Sequence, residues 1–110
     1  MELKFKKEGE ATVLELSGRL DTSNYESFSD ELFKKLEEGD KYIVVDMEEL
    51  DYISSSGLRV FLSALKKMKE NNGELALCCM SDKISEVFEI SGFSTIFKIY
   101  VRMDDALAKY

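Results

Sequence analysis

Tyr42-Ile43-Val44-Val45, followed after a charged stretch by Ser54-Ser55-Ser56-Gly57 and then by Leu58, Phe61, Leu62, Leu65 and Met68, sets a buried strand ahead of an amphipathic helix. Four consecutive apolar residues, three of them β-branched, suit a strand covered on both faces. The later apolar positions fall at i, i+3, i+4, i+7 and i+10, which is one face of a helix. Phe61 on that face is expected against Val44 or Leu77. Glu48 to Ile53 is expected as a loop, and Asn71-Asn72-Gly73 supplies the left-handed stop that ends the helix.

Outward from this unit, Glu2 to Lys7 and Ala11 to Leu16 alternate around Glu8-Gly9-Glu10 and predict a hairpin. Ser23 stands three residues before Glu26, the spacing of a capping box, and Tyr25, Phe28, Leu32 and Leu36 follow at helical intervals up to Gly39. Toward the carboxyl end, Glu74 to Met80 predicts a strand. Ser81 or Asp82 caps a helix carrying Ile84, Val87 and Phe88, and Gly92 closes it. Ile96 to Val101 predicts a last strand, and Met103, Leu107 and Tyr110 a short terminal helix. The order ββαβαβαβα implies an α/β fold over residues 1–110, taken as one domain. Its mixed sheet has a parallel core, an N-terminal antiparallel edge hairpin and crossover helices. Loops at the carboxyl ends of the central strands then form the recognition edge, with Ser54 to Gly57 on it.

Composition narrows the chemistry. The 110 residues hold 15 Lys and Arg against 22 Asp and Glu, a net charge of −7, which disfavours direct nucleic-acid or anionic-membrane binding. Histidine is absent, so neither a Ser-His-Asp site nor an imidazole metal ligand exists. The two cysteines, Cys78 and Cys79, are adjacent: too few thiolates for a structural zinc site and too close for a loop-closing disulfide. They read as strand residues pointing to opposite faces, at least one of them in the core, with no metal site expected. No apolar leader opens the chain and no run approaches the ~18 residues of a membrane span, so a reducing, cytoplasmic setting is the expectation.

Three hydroxyls stand where one helix cap suffices. Ser55 or Ser56 is the expected cap, and a phosphorylation site is compatible with it, because a helix amino terminus tolerates a phosphate. A serine hydrolase is excluded, since Tyr52-Ile53-Ser54-Ser55-Ser56-Gly57 lacks the first glycine of a nucleophile elbow and no histidine serves as base. Asp46 stands where a response-regulator receiver carries its phospho-acceptor, yet Leu16-Ser17-Gly18-Arg19 offers no acidic pair, so Asp46 reads as a carboxylate accepting loop amides. Asp21 reads as a turn residue that can also face a ligand. Glu48-Glu49, Asp104-Asp105 and the lysines Lys66, Lys67 and Lys69 read as solvated charges.

Taken in order, Leu16-Ser17-Gly18-Arg19-Leu20-Asp21, Ile43-Val44-Val45-Asp46-Met47 with Leu50-Asp51-Tyr52-Ile53, Ser55-Ser56-Gly57-Leu58 and Ile90-Ser91-Gly92-Phe93 resemble the STAS domain of stand-alone bacterial anti-sigma factor antagonists. The resemblance implies a non-enzymatic switch without cofactors. The unmodified antagonist binds an anti-sigma factor that is also a serine kinase and so frees the sigma factor. Phosphorylation blocks that binding, and a phosphoserine phosphatase restores it. The acceptor corresponds to Ser55, ahead of Ser56 and Ser54, and partner contact to Asp21, Ser54, Ser55, Ser56 and Gly57. Ser54 occupies the position where the family commonly has Asp. The rival reading is a small-ligand module in which the same edge senses a nucleotide or anion without phosphorylation, although no Walker-type loop supports it.

Overall fold

The computed structural model describes residues 1–110. One five-stranded sheet runs in the order β1-β2-β3-β4-β5, with β1 (Glu2–Glu8) antiparallel to β2 (Ala11–Leu20) and β3 (Tyr42–Ile53), β4 (Glu74–Cys78) and β5 (Lys98–Tyr100) parallel beyond it. The crossovers are α1 (Tyr25–Glu37), α2 (Ser55–Glu70) and α3 (Asp82–Ile90), and α4 (Met103–Leu107) ends the chain. The order ββαβαβαβα is the predicted one.

The two faces of the sheet are unequal. Phe28, Leu32 and Leu36 of α1, Leu58, Val60, Phe61, Ala64, Leu65 and Met68 of α2, and Ile84 and Phe88 of α3 pack with Leu14, Ile43, Val45, Leu75 and Leu77 into the larger core. The rings of Phe28 and Phe61 tilt together at 5.4 Å, joining α1 to α2. Val44 lies in the smaller core on the opposite face with Ala11, Val13, Ala76, Cys78 and Ala106. Phe61 therefore shares its core with Leu77 and not with Val44, because alternate β3 residues face opposite ways. Leu62 is only half-buried, and Val60 and Ala64 take up the rest of the helix face.

Glu48 to Ile53 is strand, not loop. Ser17, Gly18, Arg19 and Leu20 pair with Glu49, Leu50, Tyr52 and Ile53, and two register shifts each place one extra residue in β3. These bulges bend the strand, so Met47, Leu50 and Ile53 all reach the larger core at intervals of three. Gly18, with φ +97, pairs in the bulged region in a conformation that a side chain would strain. Further along the chain the expected strands are shorter. β4 stops at Cys78, and a 3-10 turn at Phe93–Thr95 precedes β5, leaving Ile96 and Val101 exposed. Asn72 takes the left-handed conformation (φ 59) at the end of α2, as its sequence implied. No helix is long and apolar enough to cross a membrane.

Candidate functional site

The carboxyl ends of β2 and β3 bring two segments side by side. One is the Asp21 loop, and the other is the serine turn that opens α2. The Ser54 amide donates to the Leu20 carbonyl at 2.9 Å, fixing the second to the first. Gly57 makes the approach close: a Cβ there would lie 2.7 Å from Leu20 Cγ and 3.1 Å from Ile53 Cγ1.

The three serines are not equivalent. Ser54, extended and buried, is the cap of α2, its Oγ accepting from the Gly57 amide at 3.1 Å. The expectation that Ser55 or Ser56 caps the helix is therefore corrected: β3 runs to Ile53 and helical conformation begins at Ser55, so Ser54, still extended, holds the cap position. Ser56 is half-buried and its Oγ lies 3.5 Å from an Arg59 nitrogen. Ser55 is exposed, and its hydroxyl takes no part in the hydrogen bonds of the turn.

The Asp21 loop is locked internally. Asp21 Oδ1 accepts from the Ser23 amide at 3.0 Å and the Ser23 hydroxyl at 2.6 Å, and the Arg19 guanidinium lies 3.7 Å from Oδ2. The two Ser23 hydrogen bonds, followed by the Arg19 charge, hold the Asp21 carboxyl below its ordinary value. Asn24 Oδ1 accepts from the Asp21 amide at 2.9 Å, and its Nδ2 donates to the Arg19 carbonyl at 2.8 Å. The predicted capping box of Ser23 and Glu26 does not form. Asp21 captures Ser23, and Asn24 becomes the residue preceding α1, without a side-chain cap.

Arg19 and Tyr52 were not singled out in the sequence. They are cross-strand partners, and the guanidinium sits 4.2 Å from the ring centroid, beside Asp21. The signal, Arg19 in β2 opposite an aromatic in β3, is visible only once β3 is known to extend through Tyr52. The other polar candidates lie apart from this edge or serve locally. Asp46 Oδ1 accepts the Glu48 amide at 3.0 Å, the local role its sequence implied, and Asp104 and Asp105 occupy the first turn of α4.

A family model for the STAS domain matches residues 2–106. The chain belongs to the STAS domain family. A Bordetella bronchiseptica protein, BtrV, which carries the name of an anti-sigma factor antagonist, is 40% identical over 95 residues, covering 86% of this chain and 82% of its own. Among solved structures, a Thermotoga maritima protein also named as an anti-sigma factor antagonist superposes with a TM-score of 0.92 at 23% identity, over 97% of this chain and 92% of that one. The Bacillus cell-fate determinant SpoIIAA in its phosphorylated form superposes at 0.73 with 21% identity, over 98% of each chain. These two structures establish a shared fold, and the STAS topology accounts for the mixed sheet of this chain.

Proposed function

We propose that this STAS protein is an anti-sigma factor antagonist working by partner switching in the cytoplasm. Its unmodified form binds an anti-sigma factor through the edge formed by Asp21 and Ser54 to Gly57, releasing the sigma factor. A serine kinase activity of that partner phosphorylates Ser55, the modified form dissociates, and a phosphoserine phosphatase resets the cycle. The protein itself catalyses nothing and touches no DNA.

The observation that carries this reading is the division of labour among the serines. Ser54 is occupied as a cap and Ser56 faces Arg59, whereas Ser55 presents an uncommitted hydroxyl to solvent. The first turn of α2 also lacks an acidic residue, while those of α1, α3 and α4 each carry at least one. An anion added there meets a favourable dipole end and no neighbouring carboxylate in that turn. That a neighbour of the same fold exists in a phosphorylated form supports the same reading.

Phosphopeptide mass spectrometry after incubation with the cognate kinase and ATP tests the assignment. A single phosphate on Ser55, lost in Ser55→Ala, is expected. Full phosphorylation of Ser55→Ala would move the acceptor to Ser54 or Ser56.

A further inference from the structure

The ligating atoms of Asp46, Cys78 and Cys79 lie within 4.8 Å of one another. Adjacent residues of a regular strand would not produce this, since their side chains leave on opposite faces. β4 ends at Cys78, however, and Cys79 adopts φ +64, a left-handed conformation that strains any residue bearing a Cβ. Its amide donates to the Tyr100 carbonyl at 3.2 Å, which pins the turn to β5. The sequence expectation of opposed thiols fails here: the backbone reversal brings the second sulfur back toward the first. Asp46 is the β3 partner of Cys78 and supplies the third group.

We propose that Asp46, Cys78 and Cys79 form a binding site for a thiophilic d10 cation of the Zn2+ class. Sulfurs sharing a tetrahedral ion at the usual metal–sulfur distance of about 2.3 Å lie about 3.8 Å apart, so the cluster needs little rearrangement to close on one ion. Asp46 Oδ1 keeps the Glu48 amide as its donor, leaving Oδ2 to bind. Met103 Sδ, 4.0 Å from Cys78 Sγ, adds a soft neighbour that a hard cation would not favour. Cys78 is fully buried, but Cys79, with Met80, Arg102 and Met103, lines an open cavity of about 420 Å3 that gives the ion an entry path and a solvent position. On binding, two metal–sulfur bonds and one metal–oxygen bond form, both S–H bonds break, and two protons pass to solvent.

The experiment adds Zn2+ or Cd2+ alone to the reduced full chain and follows stoichiometry by equilibrium dialysis and thiolate-to-Cd2+ charge transfer in the ultraviolet. One ion per chain with a charge-transfer band is expected. Cys79→Gly suits the left-handed backbone while deleting the thiol, and should abolish tight binding. Asp46→Asn should weaken binding by about tenfold or more, with far-ultraviolet circular dichroism verifying that both variants stay folded. Absence of the band in the parent chain, or binding to Cys79→Gly as tight as to the parent, overturns the site.

Discussion

The backbone amide of Ser54 donates to the carbonyl of Leu20 at 2.9 Å, so the last residue of β2 and the cap of α2 are one hydrogen-bonded unit. Through it the Asp21 loop and the serine turn are held in fixed relation by main-chain geometry and do not depend on their side chains meeting. Charge introduced at Ser55 on a surface built this way should leave its shape unchanged, which is what separates the effects expected of neighbouring serine substitutions.

Ser54→Ala removes the acceptor for the Gly57 amide inside a buried turn. Losing such a cap costs about 1 kcal/mol, within a range of roughly 0.5 to 2. Ser55→Ala removes an exposed, unbonded hydroxyl and should stay within about 0.5 kcal/mol of the parent. Urea denaturation of the two variants measures the difference, and equal stabilities would contradict the assignment of Ser54 as the cap.

Gly57→Ala gains helix propensity worth about 0.8 to 1 kcal/mol at most, but its Cβ would sit 2.7 Å from Leu20 Cγ. Overpacking costs about 1 to 3 kcal/mol, so with Ile53 also in the way the net effect should be a loss of about 1 kcal/mol, within a range of roughly 0 to 2. In a Leu20→Ala background the closest clash is gone and only Ile53 Cγ1 at 3.1 Å remains, so most of the penalty should disappear. Additive losses in the double variant would show that the two residues are not in steric conflict.

The order of elements was legible because each helix and strand core carries its own period, as in Leu58, Phe61, Leu65 and Met68 or Ile43, Val44 and Val45. The second half of β3 was not, because its bulges space Met47, Leu50 and Ile53 three apart with charged residues between, erasing the alternation that marks a strand. That one omission hid the pairing of Arg19 with Tyr52 and shifted the expected cap from Ser54 to Ser55 or Ser56. The capping box failed for a different reason. The spacing of Ser23 and Glu26 was right, but Asp21 Oδ1 accepts the Ser23 amide that Glu26 would have capped and engages the Ser23 hydroxyl as a donor. Likewise no sequence pattern announces that Cys79, a residue with a Cβ, turns left-handed.

Tyr110 stacks on Tyr42 at 4.7 Å and donates to Glu74 Oε1 at 3.3 Å. Burial, followed by the Glu74 charge, pushes its phenol up from the ordinary 10.0 to about 12. The folded state therefore holds this proton more tightly than the unfolded state. The resulting stability is complete below pH 10 and is lost as pH rises through about 12. One of the five tyrosines should titrate late in an ultraviolet phenolate titration. Tyr110→Phe should remove that late step and flatten the fall of stability above pH 10. A late step that persists in the variant would assign it to another tyrosine.

Ser55→Asp places a negative charge on the exposed first position of α2, where the dipole favours it and where no native carboxylate is already present in the turn. The melting temperature should therefore change little. Binding of the anti-sigma partner is a different matter, because the charge then falls within the proposed contact edge, beside a loop that already carries Asp21. Desolvating an unpaired anion there, and opposing whatever carboxylates the partner presents, weakens association; a penalty of ~3 kcal/mol corresponds to more than a hundredfold in Kd. The phosphoserine itself, with about −1.5 to −2 charges and greater bulk, should act more strongly than Asp. Calorimetric titration of the parent, Ser55→Ala and Ser55→Asp chains with the anti-sigma factor reads this directly. Ser55→Ala is expected to bind like the parent and Ser55→Asp far more weakly at an unchanged melting temperature. Equal affinities for all three would mean that charge at Ser55 does not govern the contact.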